Sequence, residues 1–389
     1  MLQTNAPHSD VKNIAIIGAG IAGLTLAHKL QEIENIQITL IDPLEARADH
    51  VFGFWDKGEP YLKLARELSK KSWRNWGISR NQETAILAGE AYVYRALNAK
   101  DYEGFLWDEL KSKQNIIFQT AKVVEILREG SRKKIFMSNG LHGVFDIVFN
   151  STPGKVPDRL FGETLLQHFH GWHVKFNEPC LQPDKISLMD FRVSQQKGTH
   201  FMYVLPFSAT EALVESTVLS PYVQEKNWYE EQMARYLETY YINKDYEIIS
   251  KEDGIIPMAR LENHWRNDAI GIGMSGDALR VSSGYAFAQI LAQIDMLVDS
   301  FKQSLHAGLP VEKISPAPVT DRLEHWMDGV FLKVLRQYPA KAPQIFYNMA
   351  AQMQGDHFAE FMRGHSSVAT KLKLMAAVPK WPFIKKAIK

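Results

Sequence analysis

The sequence predicts a mixed α/β chain: a parallel-sheet domain entered through a strand–turn–helix–strand unit, an antiparallel β-sheet inserted into it, and a helical C-terminal region. Three observations carry this. Asn13–Gly18 reads as a short apolar strand, Ala22–Ile33 as a helix with Leu26, Leu30 and Ile33 on one stripe, and Ile36–Ile41 as a second, β-branched strand. Between Gly171 and Leu219 four runs of strand character follow one another, GWHVKF, KISLMDFRV, HFMYVLPF and EALVESTVL. From Asp321 onward the apolar spacing is helical, through Phe331, Val334, Leu335, Ile345, Phe346, Phe358, Phe361 and Met362, up to Pro379 and Pro382.

The remaining elements fall between these anchors. Residues Asn115–Asn150 carry three short runs separated by Gly130-Ser131 and Asn139-Gly140, the pattern of an antiparallel meander. Asn227–Asn243 reads as a helix, followed by a return at Gly254, an apolar strand AIGIGMSG and a helix over Tyr285–Phe301. The Pro-rich LPVEKISPAPV at 309–319 reads as a flexible connection. The expected division is a discontinuous domain over 1–160 and 251–308, an inserted domain over 161–250 and a helical region over 309–389.

Composition narrows the function classes. With 389 residues, 46% hydrophobic and 23% charged, and with Gly and Pro scattered without period, the chain is a folded globular protein and not disordered, collagenous or coiled-coil. Lys+Arg 45 against Asp+Glu 44 gives no global reason to expect nucleic acid. Cys180 is the single cysteine, which excludes an intrachain disulfide and a thiolate metal cage and makes a reducing, cytoplasmic compartment the expectation. Every apolar run is too short to cross a bilayer. The charge is nonetheless asymmetric: after Glu360 come seven basic residues and no acidic one, so with +1 overall the rest of the chain carries −6. Leu372, Leu374, Met375, Val378, Trp381, Phe383 and Ile384 are interleaved with those cations, a mixture suited either to a membrane surface or to a docked helix with a solvated basic face.

The sharpest motif is Gly18-Ala19-Gly20-Ile21-Ala22-Gly23. It follows a strand and opens a helix, and Asp42 ends the next strand. Gly18 permits the tight turn, Gly20 lets backbone N–H groups approach a pyrophosphate, Gly23 allows close packing, and Asp42 can accept from a ribose hydroxyl. A dinucleotide cofactor, FAD or NAD, is expected there. In IGIGMSGDA (270–278) an apolar strand ends in Gly276-Asp277-Ala278 and a helix is expected to follow. This segment resembles the flavin-contacting Gly-Asp segment of the flavoprotein hydroxylase-like fold, which favours FAD and implies a Rossmann-like FAD-binding domain of that type.

Taken in order, MDFRV (189–193), YVLPFS (203–208), ALVEST (212–217), GIIPM (254–258) and SSGYAF (282–287) resemble the bacterial flavin-dependent lycopene cyclase family. The likeness extends to FLKVLRQYP (331–339), FMRG (361–364) and VPKWPF (378–383), with Ser283 standing where the family usually has Thr. The resemblance implies FAD held by Gly18, Gly20, Gly23, Asp42, Gly276, Asp277 and Gly284, with NADPH or NADH as its reductant. It implies redox-neutral closure of the linear ends of lycopene to β-rings, by a protein peripheral on the cytoplasmic face of the bacterial membrane.

Such chemistry needs a proton delivered to an alkene, a carbocation kept from water, and a base. A carboxylic acid donates that proton only if burial keeps it neutral at working pH. In Ala212–Val218, alternation places Leu213, Glu215 and Thr217 on one face. A lone Glu on a strand reads equally as a solvated edge residue; the resemblance makes Glu215 the required acid, with reduced flavin as the other proposed donor. Aromatic faces hold a cation without quenching it. Trp55, Tyr203, Phe207, Tyr285 and Phe287 are candidates for the lining, with ordinary core packing as the other reading, and Asp190 lies either beside the substrate or paired with Arg192. His168, His170 and His173 form H-x-H-x-x-H, but only the first two share a strand face and no carboxylate or thiolate joins them, so no metal is expected. The rival readings are an FAD-dependent monooxygenase of a polyprenyl or aromatic substrate and a noncatalytic carotenoid-binding flavoprotein. DIVFNSTPG at 146–154 lacks the Asp-Gly pair of the hydroxylases.

Overall fold

The computed structural model describes residues 11–44, 49–160, 162–265, 268–307, 309, 316 and 320–387. In chain order the first part comprises β1 (Lys12–Ile17), α1 (Ile21–Leu30), β2 (Ile36–Asp42), β3 (Val51–Asp56), α2 (Lys63–Glu67), β4 (Lys71–Trp73), β5 (Asn75–Arg80), β6 (Glu83–Ala88), β7 (Val93–Asn98) and α3 (Ala99–Lys111). Then come β8 (Ile116–Thr120), β9 (Val123–Glu129), β10 (Arg132–Met137), β11 (His142–Phe145), β12 (Ile147–Asn150), β13 (Leu166–Phe176), β14 (Lys185–Asp190), β15 (Thr199–Pro206), β16 (Glu211–Ser220), α4 (Lys226–Tyr240) and β17 (Tyr246–Pro257). The chain continues with β18 (Ile270–Gly271), α5 (Phe287–His306), α6 (Arg322–Gln337), α7 (Ala342–Gln352), α8 (Gly355–Arg363), α9 (Val368–Ala377) and α10 (Lys380–Ala387).

Continuous apolar strands form a parallel sheet buried on both faces, in the order β18-β12-β1-β2-β8. Ile14, Ile16, Ile38 and Leu40 pack on one side against Leu26 and Leu30 of α1 and Leu291, Ile294 and Leu297 of α5. On the other side Ala15, Ile17, Ile41 and Val148 meet Ile126 and Ile135 of the β9–β10–β11 meander. Each such fully buried aliphatic side chain contributes about 1.5–3 kcal/mol. This is the mixed α/β architecture that the sequence implies.

The second sheet has seven strands in the order β17-β13-β16-β15-β14-β5-β6. It is wider than the 161–250 segment: β5 and β6 come from the N-terminal part, with β5 parallel to β14, and β17 crosses position 250 while pairing along the whole of β13. Gly254 therefore lies inside a strand and not in a return. One face of this sheet, with Trp172, Val174, Met202, Val204 and Val214, is covered by Met233, Tyr236 and Leu237 of α4. The other, with Ile186, Leu188, Phe201, Leu205 and Leu213, packs against Trp55, Tyr94 and the C-terminal helices through Phe331, Phe346, Phe358 and Phe361. The helical run does not stop at Pro379, since α10 begins directly after it with Pro382 in the first turn, where a missing N–H is tolerated. The 309–319 connection, apart from Leu309 and Pro316, lies outside the described residues.

Candidate active site

The glycine turn is shaped for close approach. Gly18 has φ +92°, and a Cβ there would stand 2.5 Å from Ser151 Oγ. A Cβ at Gly23 would stand 2.0 Å from the Gly18 carbonyl oxygen, so the helix sits on the strand end only because that position is bare. Gly20 is the N-cap of α1 and supplies no side-chain acceptor, which leaves the leading N–H groups aimed at the turn, the arrangement that receives a pyrophosphate. Asp42 ends β2; its Oδ2 accepts from the Ala19 N–H and its Oδ1 from the Leu44 N–H, both at 2.7 Å. It braces the turn from below.

The Gly-Asp segment differs from the expected strand–helix joint. After the two-residue β18, Gly273–Gly276 form a 3-10 turn and Asp277 takes the left-handed conformation, φ 62°. The next helix starts only at Phe287, because Arg280 N–H donates to the Tyr285 carbonyl and Gly284 N–H to the Arg280 carbonyl, closing the intervening residues into a tight loop. Gly284, at φ +76°, presses on β13: a Cβ there would lie 2.6 Å from Gln167 Oε1. Asp277 faces Arg260 at 3.9 Å. Gly276 and Asp277 also line a groove of about 1070 Å³ beside the outer edge of β18, walled by Arg260, His325 and Arg336 among others; Glu215 is not part of that wall.

The C-terminal helices fix this loop. Arg280, Glu324 and Asp328 are fully buried together, with guanidinium nitrogens 3.3 Å from Glu324 and 3.0 Å from Asp328. Glu324 also accepts the backbone N–H groups of His365 and Ser366. Ser283 Oγ donates to the Met362 carbonyl at 2.6 Å, and Gln289 to that of Arg363. Burial pushes Asp328 up to about 6 despite Arg280, whereas for Glu324 burial is outweighed by Arg280 and the Ser366 hydrogen bonds, and its carboxyl is lowered.

Beyond the loop, four side-chain positions lie in a row across the seven-stranded sheet. Tyr203 on β15 is directly opposite Glu215 on β16, Glu215 opposite Gly171 on β13, and Gly171 opposite Glu252 on β17. Both carboxyl side chains lean over the bare glycine: a Cβ at Gly171 would be 2.8 Å from Glu215 Cγ and 3.1 Å from Glu252 Cγ. Glu215 is 7% exposed and Glu252 6%. Burial, and then the Glu252 charge, push the Glu215 carboxyl well above its ordinary range. Burial likewise raises Glu252, against the pull of a hydrogen bond from the Val51 N–H. Tyr203 Oη lies 2.6 Å from Tyr94 Oη, which lies 3.1 Å from Tyr285 Oη, so a chain of hydroxyls runs from the neighbour of Glu215 to the loop beside Gly284. Gly53 makes room for it, since a Cβ there would be 2.1 Å from Tyr94 Oη. Burial raises all three phenols well above the ordinary value, keeping them neutral donors.

Of the expected lining, Trp55, Tyr203, Phe207 and Tyr285 share one cluster with Leu213, on the Glu215 face. Trp55 packs 4.9 Å from both Tyr94 and Tyr285. Phe207 lies farther along, stacked on His173 at 5.3 Å. Phe287 is a correction: it stacks on Phe52 and packs at a tilt against Phe54 in the core of the parallel-sheet domain, because it opens α5 on the stripe facing α1 and α3. Asp190 is another. It is opposite Met202, on the α4 face, and its carboxylate is taken by Arg192 Nε at 2.9 Å and Tyr236 Oη at 2.8 Å. The pairing with Arg192 is the alternative realised. Glu252, Tyr94 and Gly171 escaped the sequence reading; pairing across strands identifies Glu252 and Gly171, and the hydroxyl contacts to Tyr203 and Tyr285 identify Tyr94.

His168 and His170 serve the sheet–α4 contact. His168 hydrogen-bonds Ser220 Oγ at 2.9 Å and Tyr229 Oη at 2.6 Å, and burial lowers it to about 4. His170 meets Glu230 at 3.3 Å. Among the described residues no group of three or more His, Cys, Asp or Glu could hold a metal, and no helix is long and apolar enough to cross a membrane.

The comparisons with known proteins bear on this geometry. A geranylgeranyl bacteriochlorophyll reductase-like protein from Thermoplasma acidophilum has a similar fold, with a TM-score of 0.59 over 96% of this chain and 98% of that one, at 12% identity. A flavin-dependent brominase aligns equally well, with a TM-score of 0.59 over 96% of this chain and 97% of that one, at 13% identity. The fold is thus that of the FAD-dependent monooxygenase and halogenase type. By sequence, a lycopene beta-cyclase of Pantoea ananas is 23% identical over 97% of this chain and 97% of its own length. The family model described as lycopene cyclase protein matches residues 13–388. A glycine turn opening a helix, a buried carboxyl pair and this nearly end-to-end match lead to one conclusion: the chain belongs to the lycopene cyclase protein family.

Proposed function

We infer that this protein is an FAD-dependent lycopene β-cyclase that closes the linear ends of lycopene, without net oxidation, by protonation, ring closure and deprotonation. The observation that supports the reading is Glu215, a carboxyl buried beside Tyr203 on the face of the aromatic cluster, where burial and then Glu252 push it well above its ordinary range. Glu215 gives its proton to the terminal alkene, so that an O–H bond breaks as a C–H bond forms. The neighbouring double bond gives its π pair to the cationic carbon, which closes the ring and moves the charge to the far carbon of that double bond; a C–H bond beside it then breaks to form the ring alkene, and its proton returns to the carboxylate. Trp55, Tyr94, Tyr203 and Tyr285 offer ring faces and neutral hydroxyls to the passing cation and contribute no nucleophile stronger than a phenol.

Gly18, Gly20, Gly23 and Asp42 suit the FAD diphosphate and ribose, and Gly276, Asp277 and Gly284 the stretch toward the flavin ring. The bare Cβ positions at Gly18, Gly23 and Gly284 and the uncapped start of α1 support that fit. When reduced by NADPH or NADH and bound, FAD supplies fixed negative charge beside the developing cation.

The decisive experiment is expression in cells that accumulate lycopene, followed by pigment analysis under anaerobic growth. Cyclic carotene is the expected product. Unchanged lycopene beside folded, flavin-loaded protein would reject the reading, and an oxygen requirement would point to a monooxygenase.

The substrate is membrane-dissolved, and the C-terminal helices support docking on the cytoplasmic face of the bacterial membrane. On α9 and α10, Leu372 (62% exposed), Trp381 (73%) and Ile384 (49%) stand out among Lys373, Lys380, Lys385 and Lys386. The protein is expected to sediment with vesicles containing anionic lipid, less with neutral ones, and less again at high salt. Leu372→Ala with Trp381→Ala should lower the bound fraction severalfold; binding that ignores both lipid charge and these changes would refute the surface.

A further inference from the structure

We propose that Glu252 is a positioning residue for Glu215: the two carboxyls face each other across Gly171, and the first negative charge the pair takes up as pH rises rests on Glu252, so that Glu215 keeps its proton to higher pH. This rests on the cyclase reading, and deepens it by naming the group that sets the protonation state of the acid.

The geometry is specific. Glu215 on β16 and Glu252 on β17 are both registered against Gly171 on β13, and each leans its Cγ into the space a side chain at 171 would fill. Any larger residue would wedge them apart. Their surroundings are unequal. Around Glu215 stand Tyr203 from β15, Tyr94 from β7 and Tyr285 from the loop before α5, all neutral. Around Glu252 stand the Val51 N–H, which donates to its carboxyl, the Lys70 cation, and the Asp49 and Asp253 carboxylates. Burial and the Asp49 and Asp253 charges raise Glu252 to about 8, but the Val51 N–H and the Lys70 cation offset part of that, so the first charge of the pair goes to Glu252 before the more strongly raised Glu215. Two carboxyls this close cannot both ionise without large cost, so the first charge holds the second proton in place. Cyclisation needs that asymmetry: an acid that stays loaded when its neighbour takes up the first charge.

The test is the pH dependence of kcat/KM on lycopene in detergent-dispersed assays, for the FAD-loaded wild type and Glu252→Gln. Removing the charge lets Glu215 ionise earlier, so the alkaline limb is expected to move to lower pH by about one to two units, with the rate at the acidic end largely retained. A uniform loss of rate with an unmoved limb would make Glu252 merely structural and overturn the proposal. If Glu252→Gln does not fold, Glu252→Asp, which withdraws the charge by one methylene, should displace the limb in the same direction by a smaller step; an unmoved limb there also overturns it.

A second readout does not depend on turnover. Both carboxyls are raised in the folded state, so each costs stability as pH rises through its folded value. If they sense one another, the alkaline loss of stability in the wild type, together with that of the Glu215→Gln/Glu252→Gln double variant, exceeds the summed losses of the two single variants. Simple additivity would refute the coupling. Should the wild type fail to convert lycopene at all, the functional reading falls, while this comparison still decides whether the pair is coupled.

Discussion

Glu215→Gln is expected to fold, to retain FAD, and to lose cyclisation by at least about 100-fold, the usual worth of a general acid. The amide keeps the size of the side chain and its place opposite Gly171 and Tyr203, but has no acidic proton to give. The loss should fall on kcat more than on KM, since the group acts on the reacting alkene and does little to hold the polyene. The same substitution has a thermodynamic signature with a definite sign. A carboxyl raised above its ordinary value of 4.5 binds its proton more tightly when folded. Its stabilising contribution is complete below 4.5 and is lost as pH rises through the folded value. Glu215→Gln should accordingly flatten the alkaline decline in Tm relative to wild type. Wild-type product formation in the variant, measured by pigment chromatography, would remove Glu215 from the mechanism.

Arg280→Ala is expected to destabilise the protein by about 3–5 kcal/mol, the cost of stranding buried charges. Glu324 and Asp328 would keep their places in the core without the cation that neutralises them, and the guanidinium's contact with the Phe361 ring, 5.3 Å away, would become a void. The effect should reach the site as well. Arg280 anchors the loop carrying Ser283 and Gly284 to α6 and to the turn between α8 and α9, so its loss frees the segment that presses on β13. Denaturant unfolding measures the first effect and FAD affinity the second. Replacing Arg280, Glu324 and Asp328 together with apolar residues of similar volume should recover much of the stability and little of the FAD affinity. A loss under about 1 kcal/mol in the alanine variant would show that the cluster is not the clamp described.

The glycine turn and the parallel sheet were legible in the sequence because their signals are local: bare positions at fixed spacing, an apolar strand before them and an acidic residue ending the next. The face of Glu215 was legible for the same reason, since β16 alternates without interruption over its length. Asp190 was not. The register of β14 against its neighbours shifts between Ser187 and Asp190, and a shift of one residue carries a side chain from one face to the other. Strand β17 was missed because most of it is exposed and its polar SKEDG stretch has no apolar alternation; it is a strand because β13 offers an unpaired edge. Glu252 went unnoticed with it. Nothing within that segment distinguishes a buried carboxyl from a solvated one until Gly171 is placed beside it. Phe287 was assigned to the lining, like Tyr285, because an aromatic face can hold a cation, yet the helix begins between them and turns the two rings into different cores.

The outermost position of β17 has one more implication. A border strand bonded along a single flank is the first part of a sheet to fray, and its amides exchange with solvent soonest. The row from Tyr203 to Glu252 thus spans a gradient of rigidity, with its inner end clamped and its outer end breathing. Brief opening along that seam is expected to let hydrons from bulk water reach Glu252 while Glu215, two strands further in, stays sealed, so Glu252 should equilibrate with solvent sooner than Glu215.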